Sequence, residues 1–332
     1  MSTPADTLDN LTAALRRRFG ESARVESVEM PTLGGSNRTI VFDLVEGNSR
    51  RRLVSREETY VAPDSPFLPP SDQFRLMRIV HAHGFPVPEP IFEYDGADRM
   101  GRGYVSAFVP GTTLPKTLIH SAAFAEIRPK LAAQCGELLA MFHEFPPEDF
   151  SFLATRSDSI DPIEAQRVRY DNYGGQRPAI ELGLRWLERN RPTPQRAVPL
   201  HGDFRVGNLM VSQAGIVSVL DWECAHLGSR FEDLGWLCTR AWRFDRPDLI
   251  VGGLDGAEPF FQAYERAGGG RVDFDVVRYW TIFGLVRWAI LNLMQGKGHI
   301  DGERRGLVFA ACGRNVDLIE YDLLMTLTGR YV

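Results

Sequence analysis

Cysteine is scarce in this chain. Four residues among 332 (Cys135, Cys224, Cys238 and Cys312) are scattered, and none forms a CxxC pair. That spacing excludes a disulfide frame and a cysteine-ligated zinc site, and it reads as small buried hydrophobes in a reducing compartment. Positive charge is not in excess either: 38 Lys and Arg stand against 43 Asp and Glu, a net charge of −5. Nucleic acid is therefore not an expected partner. A long apolar run is missing too. The most apolar late stretch, Tyr279 to Met294, is interrupted by Arg287 and is too short to span a bilayer, so a buried helix and no membrane partner are expected. The polar start, MSTPADTLDNLTAALRRRFG, reads as an amphipathic helix and not as a secretory signal, which makes a cytoplasmic location the expectation. No internal repeat or low-complexity tract is present. What remains is 44% hydrophobic and 24% charged residues, the balance of an ordinary globular protein with room for two lobes.

The first hundred residues carry strand signals around one helix. Val25–Glu29 and Thr39–Val45 are β-type runs on either side of the turn-rich Leu33-Gly34-Gly35-Ser36-Asn37, and Arg52–Ser55 continues them. Pro69-Pro70-Ser71 introduces a helix from about Asp72 to His83, closed by Gly84. Ile91–Tyr94 and Tyr104–Val109 complete a small antiparallel sheet in the order three strands, helix, two strands. After Pro110-Gly111 helical spacing takes over. Phe124, Ile127, Leu131, Leu138 and Phe142 mark one helix with Ser121 available as its N-cap, and Pro178 to Glu188 marks another. Two apolar runs, Ala197–Leu200 and Val217–Leu220, flank a polar segment, and helices resume near Asp233. The expected domains are an N-lobe over 1–110 that binds nucleotide and a C-lobe over 111–332 that carries the catalytic loop, metal site and acceptor site.

The polar segment is His201-Gly202-Asp203-Phe204-Arg205-Val206-Gly207-Asn208, in which an Asp precedes an Asn by five positions. Leu220-Asp221-Trp222-Glu223 follows, with Asp221 thirteen positions after the Asn. Phosphoryl transfer needs such groups in close register. One carboxylate orients the attacking hydroxyl and accepts its proton, while a carboxamide and a second carboxylate hold magnesium. The Asp-to-Asn spacing is that of the protein-kinase catalytic loop. A lone Asp-x4-Asn is also common in turns, so the signal lies in the pairing of the two elements.

These residues closely resemble the aminoglycoside phosphotransferase and choline kinase superfamily. The Asp221-Trp222-Glu223 ending, Leu227-Gly228 with Glu232-Asp233-Leu234, and Arg185-Trp186-Leu187 look most like the subgroup of kinase-like domains associated with acyl-CoA dehydrogenases. The resemblance runs from about Leu33 to Trp288. It implies an α+β, bilobal protein-kinase-like fold with a small antiparallel-sheet N-lobe and a mostly helical C-lobe. It implies an ATP- and Mg2+-dependent (GTP is the alternative nucleotide) small-molecule kinase acting on a hydroxyl of a metabolite or an aminoglycoside-like antibiotic. It implies Asp203 as catalytic base, Asn208 and Asp221 as magnesium ligands, and His201 as a residue that fixes the loop. Arg205 stands where protein kinases place a lysine that touches the transferring phosphate. It is a candidate transition-state stabiliser, with a surface or substrate-facing role as the alternative. Glu223 and Asp233 read as supporting residues.

For the nucleotide, the resemblance places a phosphate-covering loop at Gly34–Arg38, with Ser36 and Asn37 as contacts. It places the phosphate-pairing cation at Arg56, with a solvated basic patch of Arg50, Arg51, Arg52 and Arg56 as the lesser alternative. It places the adenine hinge at Ser106–Val109, with Ala107 and Val109 as backbone contacts. Gln73 stands where the family has a glutamate to pair that cation; Asp72 or Glu57 could substitute. This departure motivates a second reading, a kinase-fold nucleotide-binding module without catalysis. For the acceptor, the aromatic residues of Trp236–Phe244 and the helix around Trp288 are candidates. Arg240, Arg243 and Arg287 would suit an anionic acceptor, and Asp317, Glu320 and Asp322 a cationic one.

Overall fold

The structure is a computed structural model, and it describes residues 4–30, 37–58, 65–173 and 175–331. The chain divides into two compact units. The first comprises Met1–Pro110 with Ser218–Glu223, and the second comprises Gly111–Val217 with Cys224–Val332. The short segment holding Asp221, expected with the second unit, groups with the first.

The first unit is a five-stranded antiparallel sheet flanked by two helices. The helix α1 (Pro4–Phe19) precedes β1 (Arg24–Glu29), β2 (Asn37–Glu46) and β3 (Ser49–Glu58); α2 (Pro70–Ala82) then leads to β4 (Pro90–Glu93) and β5 (Gly103–Ala107). The strand order is β1-β2-β3-β5-β4, so β3 is central. Alternation along β2 sends Ile40, Phe42 and Leu44 to one face, where they pack in a core with Leu11, Ala14 and Leu15 of α1. Each such side chain, fully buried, stabilises the unit by about 1.5–3 kcal/mol. The helix α2 starts at Pro70, whose fixed φ and missing N–H suit a first helical turn, two residues before the expected start.

Residues 218–223 are anchored on this unit from both sides. The Val219 amide donates to Pro86 O at 2.8 Å, and the Leu68 amide donates to Glu223 O at 2.6 Å. Trp222, buried, packs edge-on against Phe85 at 5.7 Å between ring centroids. Those contacts fix the stretch from which Asp221 projects.

The second unit is mainly helical. Its elements are α3 (Pro115–His120), α4 (Arg128–His143), α5 (Ser157–Ile160), α6 (Pro162–Tyr173), α7 (Pro178–Arg189), β6 (Val198–Leu200), β7 (Leu209–Ser212), β8 (Gly215–Val219, which runs on into the first unit), β9 (His226–Gly228), α8 (Phe231–Cys238), α9 (Ala257–Tyr264), α10 (Phe274–Ile300) and α11 (Leu307–Leu327). Ser121 does not cap the long helix α4. Its hydroxyl accepts from the Ala123 amide and closes a separate turn over Ala122–Phe124, seven residues before α4 begins. The helix α10 is apolar nearly all round because α6, α7, α8 and α11 surround it. Among the described residues no helix is long and apolar enough to cross a membrane. Antiparallel pairing of β6 with β9 sets Leu200 opposite His226. The polar segment 201–208 therefore leaves β6 in a defined direction.

Candidate active site

The candidate residues fall on both units. In the first, the register of β3 with β5 sets Arg56 opposite Tyr104. Arg56 Nη2 donates to Asp221 Oδ1 at 2.8 Å, across 165 positions of sequence. Burial opposes the guanidinium charge, but Asp221, with Tyr104 and Glu223 nearby, holds its pKa above the ordinary arginine value. Its neighbours in the arginine run behave differently. Arg50 pairs with Asp43, Arg51 with Glu46 and Arg52 with Glu29, all surface ion pairs on the sheet. Arg56 is thus not part of a solvated patch.

Gln73 is buried but does not stand in for an ion-pairing glutamate. Its amide donates to Leu68 O at 2.7 Å, and its carbonyl accepts from the Tyr104 hydroxyl at 3.4 Å. Glu57 is engaged elsewhere, by Arg38 at 3.0 Å and the Gly101 amide at 2.9 Å. The carboxylate that balances Arg56 is Asp221. Asp221 also holds a left-handed backbone conformation, φ 67°, that a non-glycine residue adopts at a cost. Of the expected nucleotide loop, Ser36 lies outside the described residues, Asn37 opens β2, and Arg38 is the partner of Glu57. At the expected hinge, the Ala107 amide donates to Glu89 O at 2.8 Å and the Phe108 amide to Arg52 O at 3.0 Å. The Val109 amide makes no hydrogen bond among the described residues.

In the second unit the loop 201–208 is held from beneath by Asp233, in the first turn of α8. One oxygen of this fully buried carboxylate accepts from the His201 amide at 2.8 Å, the other from the Gly202 amide at 2.9 Å. His143 Nε2 lies 3.3 Å away. Burial pushes the Asp233 carboxyl upward, but His143 and these amides outweigh it and hold it below the usual carboxylate value. His201 Nδ1 accepts from the Asp203 amide at 3.1 Å, which fits its expected loop-fixing role. Gly202 has φ 73°, and a Cβ there would meet Cys224 O at 2.3 Å. Only glycine fits.

The Asp203 carboxylate is surrounded by three donors. Arg205 Nε reaches Oδ1 at 3.1 Å, Asn208 Nδ2 reaches Oδ2 at 2.7 Å, and Trp236 Nε1 reaches Oδ1 at 3.0 Å. The second amide proton of Asn208 serves Asp203 O at 2.9 Å. Its oxygen takes no hydrogen bond among the described residues, and a hard oxygen donor of that kind suits magnesium. Among the described residues no cluster of three or more His, Cys, Asp or Glu side chains is arranged to hold a metal. The Trp236 contact with Asp203 is one that motif spacing does not reveal, because Trp236 stands 33 positions downstream.

Trp236 belongs to a tryptophan cluster with Trp242 and Trp288, whose ring centroids lie 4.9–6.4 Å apart. Arg205 Cζ sits 5.0 Å over the Trp242 ring. Trp242 and Trp288 also line a pocket of about 440 Å³, together with Arg240, Ile319, Tyr321 and Asp322. The arginines expected to serve an anionic acceptor are occupied. Arg243 donates to Cys238 O and Pro247 O, Arg287 donates to Gly202 O, and Arg240 pairs with Asp322 at 3.1 Å. Of the acidic candidates on α11, Asp317 and Glu320 pair with Arg177.

A model of the phosphotransferase enzyme family matches residues 32–280. Acyl-CoA dehydrogenase family member 10 of Mus musculus is 25% identical over 252 residues, covering 70% of this chain and 23% of its own length. Member 11 of Gallus gallus is 27% identical over 228 residues, covering 63% and 27% respectively. The chain thus spans about a quarter of these relatives. Among solved structures, a provisionally assigned aminoglycoside phosphotransferase from Ralstonia eutropha superposes with a TM-score of 0.74 at 22% identity, over 97% of this chain and 98% of that one. The macrolide 2′-phosphotransferase MphH from Brachybacterium faecium superposes at 0.61 and 17%, over 93% and 98%. A GDP complex of aminoglycoside 2′-phosphotransferase-IIIa superposes at 0.64 and 14%, over 96% and 98%. The fold is the kinase-like fold of these enzymes.

Proposed function

The chain belongs to the phosphotransferase enzyme family, and from that premise we propose that it is a magnesium-dependent kinase moving the γ-phosphate of ATP, or GTP, to a hydroxyl of a small molecule. The observation that carries this reading is the Asp203 carboxylate, oriented by Arg205, Asn208 and Trp236. In the proposed step the acceptor oxygen forms a bond to the γ-phosphorus while the bond to the β–γ bridging oxygen breaks. Asp203 takes the acceptor's proton. Arg205, next to that carboxylate, stabilises negative charge on the phosphoryl oxygens in transfer.

Arg56 pairs with nucleotide phosphates, exchanging its bond to Asp221 for theirs. The Val109 amide and the Ala107 carbonyl serve the adenine edge; the Ala107 N–H, committed to Glu89, does not. The carboxamide oxygen of Asn208 and the carboxylate of Asp221 are the oxygen donors assigned to magnesium, which when bound neutralises phosphate charge. Ser36 and Asn37 are assigned to the phosphates on the resemblance. Free cysteines, three of the four buried, fit a cytoplasmic location.

The test compares Asp203→Asn with the parent protein in nucleotide consumption against a library of hydroxyl compounds. Turnover should fall by about 10²–10⁴-fold with nucleotide affinity retained. Unchanged turnover removes Asp203 as the base. Magnesium-dependent nucleotide binding with no turnover on any acceptor would point instead to the binding-module reading.

A further inference from the structure

The lining of the pocket walled by Trp242 and Trp288 narrows the acceptor. Resting on the phosphotransfer reading, we propose that this pocket receives the acceptor and selects an uncharged, hydroxylated molecule with a planar, largely apolar body over a polycation.

Placement is the first ground. Trp242 forms part of the pocket wall, lies 5.2 Å from Trp236, and carries Arg205 over its ring. Trp236 and Arg205 are the two side chains that, with Asn208, hold the Asp203 carboxylate. A molecule seated against Trp242 is one side chain removed from the proposed base.

Surface chemistry is the second. Trp242, Trp288, Phe244, Leu318, Ile319 and Tyr321 make the large apolar and aromatic part of the wall. The indole rings of Trp242 and Trp288 meet at 57°, and tilted aromatic faces favour a flat guest by offset or edge contact. Phe244 is half exposed and held at φ 52°, a backbone state a bulky residue adopts only under constraint. Trp242 Nε1 is buried without a hydrogen-bond partner among the described residues.

Charge is the third. The ionisable lining groups are Arg240, Arg243, Asp322 and the phenols of Tyr321 and Tyr331. At neutral pH that is two cations against one anion. The Asp322 carboxylate is already paired with Arg240, and burial pushes its pKa upward, Arg240 opposing only in part. Asp317 and Glu320 on the same helix are held by Arg177. Nothing in the lining is left to balance several ammonium groups. A polycation entering here would lose water without gaining a counter-charge.

The test titrates the full chain with naphthylethanol and with kanamycin. Tryptophan fluorescence reports binding and nucleotide consumption reports transfer. Naphthylethanol should bind about tenfold or more tightly than kanamycin, and a charge placed on the exposed rim, Leu318→Asp or Tyr321→Asp, should weaken it by about tenfold or more. Thermal melts of both variants should match the parent, since these side chains are exposed. Stronger binding of kanamycin, no binding of either compound, or naphthylethanol binding that neither rim variant alters would overturn the assignment. If naphthylethanol binds as expected and neither compound ever receives phosphate, the pocket's selectivity stands and the phosphotransfer reading fails. If only kanamycin is bound and phosphorylated, the reverse holds.

Discussion

Replacing Asp233 by Asn would keep the shape of the carboxylate that supports the loop 201–208 and change its hydrogen bonding and its charge. In the native protein each oxygen accepts one backbone N–H, from His201 at 2.8 Å and Gly202 at 2.9 Å. An amide has one oxygen and one NH2. Whichever way it is flipped, one of the two backbone donors would face another donor. Leaving a buried N–H unsatisfied costs about 1–3 kcal/mol, and converting the remaining bond from charged to neutral adds about 1 kcal/mol. The sum, about 2–4 kcal/mol, should lower the melting temperature of the second unit by roughly 5–15 °C if it unfolds cooperatively. The two tethered amides immediately precede Asp203, whose own amide is held by His201. A displacement near 1 Å there should reduce kcat about a hundredfold. Nucleotide affinity measured without magnesium should change little, because Arg56 belongs to the other unit. Differential scanning calorimetry and steady-state kinetics on Asp233→Asn test both arms. A variant with the parent's melting temperature and kcat would show that the loop is held by something other than this carboxylate, and the reasoning would fail.

Arg56→Met should weaken nucleotide binding by about tenfold or more, since a charge-assisted phosphate contact is lost, and titration calorimetry with ATP reads this directly. Gly202→Ala should destabilise the second unit by at least about 2 kcal/mol in chemical denaturation, because the added methyl would sit 2.3 Å from Cys224 O at a positive φ. The third concerns pH. Burial opposes protonation of His226, but Glu232 at 3.2 Å outweighs it and raises the pKa above the ordinary histidine value. A raised folded-state pKa contributes stability that is complete below the unfolded value near 6.5 and is lost as pH rises through the folded one. Denaturation midpoints should therefore decline across that window on the alkaline side, and His226→Gln should flatten the decline. An unchanged slope in the variant would count against the ion pair.

Most of the architecture was legible in the chain because it rests on short-range patterns. The β-type run Thr39–Val45 marks a strand, Pro69-Pro70 marks a helix start, and Arg287 inside an apolar stretch marks a buried helix; each concerns neighbours within a few positions. The start of α4 was misplaced because Ser121 is a good cap for whatever turn follows, and the turn that follows is the short one at Ala122–Phe124. Of the candidate site, the carboxylates and carboxamide of 201–221 could be named from their spacing, while their partners could not.

Local order along the chain determined the helix and strand types, the loop that bears Asp203 and Asn208, and the identity of Arg56 as a cation on the third strand. The tertiary structure alone decided what those groups touch. It paired Arg56 with Asp221 across 165 positions, committed Gln73 to Leu68 and Tyr104, brought the indole of Trp236 to Asp203, and spent Arg243 and Arg287 on backbone carbonyls. The physical reason is range. Periodicity and capping record interactions within a turn or a pleat, whereas a buried charge takes whichever partner the packing of distant elements delivers, and no local pattern records that choice.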